Sequence, residues 1–361
     1  MTSMTRITAA LPDHQVLPAA PDMAASPAAQ TLPMLHAYIP MMTASALATA
    51  GRIGLFEALA GGAREVRSLA ETLGISVDGA ERIVDFLVAA GFLQRAGIYV
   101  ANGDTAAQWF TSQGTVDYST GLAWSSYAWG ILEDLPAAIA EGKPRQRLWD
   151  RMAAQPEMGS GFSRYMASFA QHLAPDVVAA VPLPDRPLRL LDLGGSHGHH
   201  AISFCHAHPR MTAVIVDLES ALTETQARIE QAGLADRITL RAADLRDRDW
   251  GEGYDVALYL SVAHNMSPAE NRANFSHLAQ VTTPNGVLIL HDYPRETTPA
   301  LFETAFRLTL LSETGTRTYS YAELGSYLEA AGFAEHQLQV LDPAEKGALI
   351  LARKRPFPAS G

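Results

Sequence analysis

The stretch from residue 188 to residue 217 constrains the fold more than any other part of the sequence. It opens with a short apolar run, Leu188 to Leu193, which has the length and composition of a strand buried on both faces. Gly194 and Gly195 end this run, and the next apolar run ends at Asp217. The order is therefore strand, glycine turn, helix, strand and acid. This order is typical of a unit that binds a nucleoside.

The glycine spacing indicates which kind of nucleoside is bound. A dinucleotide fingerprint that starts at Gly194 would need glycines at Ser196 and His199, where the chain has none. Asp192 to Gly198 instead follows the spacing D-x-G-G-x-x-G, which resembles the first motif of class I S-adenosylmethionine-dependent methyltransferases. A glycine turn in another doubly wound protein remains the alternative at this point.

Composition bounds the class of protein. The 361 residues suffice for two domains, and 48% hydrophobic residues with a mean hydropathy near zero describe a soluble globular chain. A formal net charge of -11 disfavours nucleic acid as a partner. The single cysteine, Cys205, predicts a buried thiol in a reducing compartment. With no membrane-length apolar run and no secretory signal, we expect a cytoplasmic protein without a membrane partner.

The pattern along the chain predicts four segments. Residues 1–32 are rich in Ala and Pro and predict a disordered leader. Residues 33–104 predict a winged-helix domain, and its apolar stretch from Met41 to Leu59 requires a partner surface, so we expect a homodimer. Residues 105–185 predict a helical linker with the substrate pocket, and residues 186–361 predict the nucleoside-binding domain.

The winged-helix pattern leaves a ligand-sensing DNA-binding regulator as an alternative of another class. Its second helix would be the reader of the DNA sequence, but that helix carries Asp78, Glu81 and Asp85 against a single Arg82. Such a face repels phosphate. We therefore interpret the winged helix as a packing and dimerisation module.

The helical segment is unusually aromatic and predicts a pocket for a flat organic substrate. Bulky rings with polar edges suit such a pocket, and we expect one or two of them to line it. The aromatic residues concerned are Trp109, Phe110, Tyr118, Trp124, Tyr127 and Trp129.

The C-terminal half alternates strands and helices and predicts a doubly wound parallel sheet. The last two strand-like runs, residues 336–341 and 348–353, predict an antiparallel hairpin at the sheet edge. Ligands bind beyond the carboxyl ends of the strands in such sheets. The strand tips to examine are Asp217, Asp244 with Leu245, Ser261 to Asn265, and His291 with Asp292.

The chain from about Leu35 onward resembles the small-molecule O-methyltransferases of the plant caffeate and bacterial natural-product type. The motifs that carry the resemblance are AGRIGLFEAL, Phe162 with Met166, LLDLGGSHG, VIVDLES, AADL, SVAHNMSP and EAAGF. The resemblance implies an α/β fold, with a C-terminal Rossmann-like methyltransferase sheet and a mostly helical winged-helix domain that forms the homodimer. It also implies methyl transfer to a hydroxyl of a small, aromatic secondary metabolite.

The resemblance also implies roles for particular residues. S-adenosyl-L-methionine would be the cofactor, with Gly194 facing its methionine part, Asp217 its ribose, and Asp244 with Leu245 its adenine. The full set implied for the cofactor is Gly194, Asp217, Leu218, Asp244, Leu245 and Ser261. The set implied for the substrate is Trp124, Phe162, Met166 and Asn265. His264 would be the general base, with Asp292 as the carboxylate that orients it.

A histidine base suits this chemistry. The sulfonium methyl group is already an electrophile, so the protein has to align a nucleophile and exclude water. A phenol with a pKa near 10 is mostly protonated at neutral pH, and a positioned histidine that takes its proton contributes roughly 10²- to 10⁴-fold.

Three positions depart from the family pattern. Met266 stands in place of a Trp, Leu260 and Ser261 stand where a Lys is frequent, and Thr316 stands where a carboxylate commonly precedes Arg-Thr. Glu313 or Asp292 would have to supply the missing carboxylate. Without it, methylation at carbon or nitrogen, or a non-methylating use of the pocket, gains weight.

The histidines raise the question of a metal. Two histidines and a carboxylate could form a facial triad. However, His291 and Asp292 alternate to opposite faces of their strand, and the histidines from His197 to His208 lack a carboxylate partner. We expect no metal site.

Overall fold

The computed structural model describes residues 33–114, 118–342 and 346–354. The predicted leader, residues 1–32, lies outside the described residues. The described chain has a mostly helical N-terminal half and a C-terminal half built on a seven-stranded sheet.

The N-terminal elements form the predicted winged helix. In chain order they are α1 (Pro33–Arg52), α2 (Leu55–Ala58), β1 (Arg64–Glu65), α3 (Val66–Leu73), α4 (Val77–Ala89), β2 (Leu93–Ala96) and β3 (Tyr99–Asn102). Strands β2 and β3 pair as an antiparallel hairpin, and β1 adds to β3. Gly97 at the hairpin tip has a positive φ of 63°, a conformation that favours glycine. The helix, turn, helix and hairpin predicted from the sequence are confirmed.

Basic side chains beside the second helix of the winged helix are paired with carboxylates. Arg82 contacts Asp78 at 2.9 Å on α4. Arg95 of the hairpin contacts Glu81 at 2.7 Å and Asp85 at 2.6 Å. These guanidinium groups are therefore already engaged within the chain, which supports a packing role for this domain.

One face of α1 remains apolar and exposed in the single chain. Tyr38, Ile39 and Met41 are 52%, 43% and 46% exposed, whereas Ala48 and Ala50 farther along the helix are buried. Three exposed apolar side chains within about one helical turn cost free energy in water. We infer that a second subunit covers this end of α1.

We therefore expect a homodimer in solution. Sedimentation at micromolar concentration should return twice the chain mass of 38.8 kDa. Met41→Glu should shift the population towards monomer, because a carboxylate would be buried in an apolar contact. Val340→Glu, at a 43% exposed position outside this domain, is the matched control and should leave the dimer intact. A wild-type chain that sediments as a monomer would contradict the expectation.

The middle of the chain is helical, as predicted. It comprises α5 (Asp104–Trp109), α6 (Ser119–Leu132), α7 (Leu135–Glu141), α8 (Leu148–Ala154) and α9 (Pro156–Ala180). Its aromatic residues belong to more than one apolar cluster. Phe110 packs with Phe56 and Phe92 in the N-terminal core, whereas Trp124 packs with Tyr127 and Phe162 beside α9. Phe110 and Trp124 are close in sequence, but the helices that carry them place the two rings in different clusters.

The C-terminal elements build the large sheet. In chain order they are β4 (Leu188–Leu193), α10 (His199–Ala207), β5 (Met211–Asp217), α11 (Thr225–Gln231), β6 (Ile238–Ala242), β7 (Tyr254–Leu260), α12 (Pro268–Val281), β8 (Thr282–Asp292), α13 (Ala300–Glu313), α14 (Tyr321–Ala331), β9 (Phe333–Val340) and β10 (Ala348–Lys354). Two single-turn 3-10 helices, Glu219–Ala221 and Ala263–Asn265, lie at strand tips.

The strand order is β6-β5-β4-β7-β8-β10-β9. The first five strands are parallel, and β10 runs antiparallel to both β8 and β9. The predicted terminal hairpin therefore extends the sheet at its edge. The fold class, a doubly wound α/β methyltransferase sheet with a winged-helix N-terminal domain, is confirmed.

Both faces of the sheet are covered by helices and hold apolar cores. Cys205 lies on α10 with no exposed surface and carries a free thiol, as its position on an apolar helix face predicted. Among the helices that the structure describes, none is at once long enough and apolar enough to cross a bilayer.

Candidate active site

The predicted site residues meet along one edge of the sheet. Because β6, β5, β4, β7 and β8 are parallel neighbours, their carboxyl ends stand side by side. The tips carry, in spatial order, Asp244, Asp217, Gly194, His264 and Asp292. The topology thus brings together residues that are up to 98 positions apart, from Gly194 to Asp292.

The glycine turn after β4 has no room for side chains. Gly194 has a φ of 72°, and a Cβ there would lie 2.7 Å from Cγ2 of Val262. A Cβ on Gly195 would lie 2.6 Å from the carboxyl carbon of Asp192. The backbone of the turn is therefore the surface that a ligand would approach.

Asp217 closes the turn from the tip of β5. Its Oδ2 accepts a hydrogen bond from the Ser196 N–H at 2.9 Å, and its Oδ1 accepts one from the Leu218 N–H at 2.7 Å. Burial raises the pKa of Asp217 to about 6, although both backbone N–H groups lower it, and the charge of Asp244 adds to the rise. Each carboxylate oxygen retains a second lone pair for a ligand hydroxyl.

A second carboxyl group lies beneath the turn. Asp192 is 2% exposed, and its Oδ2 has no hydrogen-bond partner within the described chain. Burial and the nearby charge of Asp217 raise the pKa of Asp192 to about 7. Burial is the main cause of both raised pKa values, and a cationic ligand close to the two carboxyl groups would favour their ionised forms.

The other residues implied for the cofactor differ in their surroundings. Asp244 accepts hydrogen bonds from Nε of Arg246 at 2.9 Å and 3.1 Å, and that pairing lowers its pKa. Leu245 is buried, with its Cδ1 within 3.7 Å of the position of a Cβ on Gly194. Ser261 adopts a positive φ of 57°, and its hydroxyl lies 3.0 Å from Nδ1 of His291.

His264 is paired with Asp292 at the tips of adjacent strands. Nδ1 of His264 lies 2.9 Å from Oδ1 of Asp292, and the His264 backbone N–H donates to Oδ2 at 3.1 Å. His264 and Asp292 are 7% and 2% exposed. An Asp at Nδ1 fixes the ring orientation and the tautomer, which leaves Nε2 as the proton acceptor.

Asp292 remains ionised in this environment. Burial alone would raise its pKa, but the charge of His264, their hydrogen bond and the Tyr293 N–H together lower the pKa below its ordinary value. Of the two carboxylates that the sequence offered, Asp292 is therefore the one hydrogen-bonded to His264. Thr316 contributes differently, because its hydroxyl donates to the His264 carbonyl oxygen and holds the backbone.

The residues implied for the substrate lie beside α9. Trp124 is 7% exposed and packs edge-on against Phe162 at a centroid distance of 5.0 Å. Phe162 and Met166 are half-buried one turn apart on α9. Asn265 donates to the Ser261 carbonyl at 3.3 Å, so its amide contributes to the turn after β7.

Sequence reasoning did not single out three further aromatic residues, which are Phe306 and Tyr293 beside the His264 pair and Tyr165 beside Trp124. Phe306 of α13 packs edge-on against the His264 ring at 4.9 Å, and Tyr293 packs against Phe306 at 5.8 Å. Tyr165 stacks on Trp124 at 6.1 Å with an interplanar angle of 11°. The sequence offered only a slight signal for two of them. Tyr293 directly follows Asp292, and Tyr165 lies between Phe162 and Met166.

The histidines of the glycine turn are buried. His197 and His200 are each 6% exposed, and burial lowers the pKa of both rings, so they are neutral. Within residues 33–114, 118–342 and 346–354, no group of three His, Cys, Asp or Glu side chains is arranged to hold a metal ion.

Glu313 at the end of α13 is a half-buried carboxyl group. Burial raises its pKa from the ordinary 4.5 to about 7, while the charge of His264 opposes the rise. Between these two pH values the folded chain keeps a proton that the unfolded chain has released. The contribution of Glu313 to stability therefore falls as pH rises from 4.5 to 7.

Glu313→Gln should remove this penalty. We expect the variant to have a free energy of unfolding about 1 to 3 kcal/mol higher than that of the wild type at pH 8, with little difference below pH 4.5. Urea unfolding of both proteins at the two pH values measures this. Glu133→Gln, at an exposed position, is the matched control. An equal effect of Glu313→Gln at both pH values would refute the explanation.

Comparison with known proteins agrees with this geometry. Residues 36–112 match the O-methyltransferase dimerisation domain, and residues 191–288 match a methyltransferase domain. A 3-hydroxy-5-methyl-1-naphthoate 3-O-methyltransferase of Streptomyces sahachiroi is 27% identical over 80% of this chain and 85% of its own. An N,N-dimethyltransferase of Streptomyces rimosus is 23% identical over 91% of this chain and 98% of its own.

A solved structure shows the same fold. Human N-acetylserotonin methyltransferase in complex with S-adenosylmethionine superimposes with a TM-score of 0.81 at 18% identity, over 92% of this chain and 99% of the other. The fold, the strand-tip site and the two domain matches define an enzyme of the methyltransferase class. The chain carries a methyltransferase domain behind an O-methyltransferase dimerisation domain, and it is similar to bacterial natural-product O-methyltransferases.

Proposed function

We propose that the protein methylates a hydroxyl group of a small aromatic secondary metabolite, with His264 as the general base. The observation that carries the proposal is the His264–Asp292 pair, joined at 2.9 Å beside the glycine turn. Nε2 of His264 makes no hydrogen bond within the described chain, which leaves it available to a substrate hydroxyl. A base, its orienting carboxylate and a cofactor site on adjacent strand tips are the parts that such a transfer needs.

The residues of the turn fit S-adenosylmethionine. Gly194 offers a backbone surface without a side chain, and Asp217 offers acceptors for the two ribose hydroxyls. The cofactor carries positive charge, which the nearby carboxyl groups of Asp192 and Asp217 would attract. Leu218, Asp244, Leu245 and Ser261 complete the proposed cofactor set at the neighbouring tips. When bound, the cofactor supplies the methyl group as an activated electrophile.

The mechanism assigns the protein three tasks. His264 accepts the proton of the hydroxyl at Nε2 while the oxygen attacks, and Asp292 stabilises the imidazolium that results. Phe306, packed on the His264 ring, helps to exclude water from the reacting atoms. Thr316 fixes the backbone of the base through the His264 carbonyl. These contacts supply orientation, which is the main requirement when the electrophile is already activated.

An aromatic acceptor fits the pocket region. The half-buried faces of Phe162 and Tyr165 lie beside Met166, and planar rings bind well between such side chains. The relative from Streptomyces sahachiroi, a naphthoate O-methyltransferase, supports this substrate class. Trp124 is buried and packs against Phe162, so it would hold that ring in place and have little contact with the substrate itself.

A direct assay tests the proposal. The purified dimer is incubated with methyl-labelled S-adenosylmethionine and a panel of hydroxylated arenes, each paired with the same arene lacking the hydroxyl. Metabolites of the pathway encoded by neighbouring genes extend the panel. We expect label in the hydroxylated member of at least one pair. Cofactor binding without transfer to any hydroxyl would remove the O-methylation proposal.

Methylation at nitrogen is the second candidate. The Streptomyces rimosus relative, an N,N-dimethyltransferase, aligns over nearly the whole chain and favours it. The His264–Asp292 pair could equally accept a proton from an ammonium group. Anilines in the same panel, with product linkage assigned by nuclear magnetic resonance, separate the two reactions.

A further inference from the structure

A buried amide contacts the turn that carries His264. Residues Ala263–Asn265 form a single 3-10 turn between β7 and α12. Asn271, the fourth residue of α12, has no exposed surface. Its Nδ2 donates to the Ala263 carbonyl at 2.9 Å and to the Met266 carbonyl at 3.4 Å. One amide group therefore joins the residues on both sides of His264.

Tyr259 fixes the direction of the Asn271 amide. The Tyr259 hydroxyl donates to Oδ1 of Asn271 at 3.0 Å, and Nδ2 of Asn274 donates to the Tyr259 hydroxyl at 3.1 Å. All three side chains are fully buried. With Oδ1 held by a donor, the NH₂ end of the Asn271 amide faces the two carbonyl groups of the turn, which only that end can serve as a donor.

The carbonyl groups that Asn271 contacts each have another donor. The Met266 N–H donates to the Ala263 carbonyl at 3.1 Å, and the Tyr319 hydroxyl donates to the Met266 carbonyl at 2.6 Å. Neither carbonyl would lose its only hydrogen bond if the Asn271 amide were removed. A buried asparagine inside a helix is also unfavourable by itself, because its amide leaves water and its side chain favours other backbone conformations. What Asn271 contributes is therefore the geometry of the turn.

The geometry of the turn decides where the His264 ring lies. Asp292 holds the backbone N–H and Nδ1 of His264, and Thr316 holds its carbonyl group. Those contacts fix His264 to the tip of β8 and to the segment after α13, whereas Asn271 fixes the same turn to α12. Proton transfer needs Nε2 within hydrogen-bond distance of the acceptor hydroxyl, and a displacement of about 1 Å can cost on the order of 10²-fold in rate.

We propose that Asn271 is a positioning residue for His264. It acts through the turn, because it holds the Ala263 and Met266 carbonyl groups in the arrangement that directs Nε2 of His264 at the acceptor. This inference rests on the proposed function, since it assigns a role in that reaction. It also adds to the site a residue that lies on a helix and not on a strand tip.

Asn271→Leu tests this role, because leucine keeps the size of the side chain and removes both hydrogen-bonding ends of the amide. Asn274→Leu is the matched control, since it removes an equally buried asparagine of α12 whose Nδ2 donates to the Tyr259 hydroxyl, one hydrogen bond farther from the turn. Both variants are also made in the His264→Ala background. Single-turnover transfer of labelled methyl is measured between pH 7 and pH 10. The acceptor is the hydroxylated arene that takes up label fastest in the assay above.

We expect Asn271→Leu to slow methyl transfer about 10- to 100-fold at neutral pH, and Asn274→Leu to slow it less than about threefold. In the His264→Ala background, Asn271→Leu should cause little further loss, because a residue that acts only through the base has no effect once the base is removed. With His264 present, the loss should shrink towards pH 10, where a phenol ionises by itself. Wild-type turnover of Asn271→Leu would overturn the role. An equal loss in both backgrounds would overturn it too, because it would indicate a general loosening of the pocket.

Hydrogen exchange in the segment 262–267 reports on the turn without any substrate. Exchange followed by mass spectrometry should be faster there in Asn271→Leu than in Asn274→Leu, and equal exchange in the two variants would overturn the role. If Asn271→Leu does not give a folded dimer, Tyr259→Phe takes its place, because it keeps the ring and removes the hydroxyl that directs the amide. Tyr259→Phe should slow transfer with His264 present and not in its absence. A wild-type rate of Tyr259→Phe would then overturn the role.

The results separate this inference from the proposed function. If His264→Ala transfers methyl at the wild-type rate, the base assignment fails and the positioning role fails with it. If His264→Ala is slow and Asn271→Leu is not, the proposed function stands and only the positioning role is lost. If the chain methylates no hydroxyl, the proposed reaction is lost, and the exchange measurement still decides whether Asn271 holds the turn.

Discussion

His264→Ala is expected to slow methyl transfer by roughly 10²- to 10⁴-fold while leaving cofactor affinity close to that of the wild type. The ring lies at the tip of β7 and contacts Asp292 and Phe306, whereas the proposed cofactor residues lie on the neighbouring tips. Removing the imidazole therefore removes the proton acceptor and spares the turn around Gly194. Single-turnover rates and calorimetry with S-adenosylmethionine measure the two quantities separately.

The pH dependence distinguishes a base from a positioning group. A phenol ionises by itself as pH approaches its pKa near 10, so the rate of His264→Ala should recover partly there. His206→Ala, at an exposed histidine on α10, is the control and should behave as the wild type. Wild-type turnover of His264→Ala would exclude the base role. A slow variant without recovery would instead indicate positioning, or an acceptor that is not a phenol.

Local signals predicted much of the fold. The apolar runs Leu188–Leu193 and Tyr254–Leu260 are observed as strands with those bounds. Proline is favoured in the first turn of a helix, so Pro268 predicts a helix start, and α12 begins there. Ser267 and Glu270 form a capping box at this end. In such segments the residues that determine where a strand or helix begins and ends lie within a few positions of each other. Local sequence is therefore enough to predict the element.

The first residue of α11 could not be predicted from the local sequence. The pattern of apolar residues from Ala221 to Leu234 predicts one continuous helix. The structure instead has a 3-10 turn and then a helix from Thr225 to Gln231. The Thr225 hydroxyl donates to the Ser196 carbonyl in the glycine turn, 29 residues away in sequence. A contact between distant segments thus fixes where this helix starts.

Some residues of the candidate site could likewise be predicted from the sequence, whereas others depend on tertiary packing. Residues on strand tips, such as Asp217 and His264, could be predicted because parallel strands present their carboxyl ends at one edge. Phe306 could not, since its contact with the His264 ring depends on how α13 packs, 42 residues farther along the chain. The pairing of Asp292 with His264, one of two options in the sequence, also needed the β7–β8 register to be decided.

Asp217→Ala is expected to weaken S-adenosylmethionine binding by about 2 to 4 kcal/mol, or roughly 30- to 1,000-fold. The change removes a carboxylate proposed to accept both ribose hydroxyls. It also frees the Ser196 and Leu218 N–H groups that the carboxylate now holds at 2.9 Å and 2.7 Å. Part of the loss could therefore come from the turn itself, and a single affinity would not separate the two effects.

A double-mutant cycle separates them. S-adenosylhomocysteine and its 2′-deoxy analogue are titrated by calorimetry into the wild type, Asp217→Ala and the exposed control Asp236→Ala. If Asp217 accepts the 2′-hydroxyl, deleting that hydroxyl should weaken binding to the wild type and to the control but have little further effect on Asp217→Ala. A hydroxyl deletion that costs the same in all three proteins would show that Asp217 only supports the turn, and the ribose would then need another partner at this edge of the sheet.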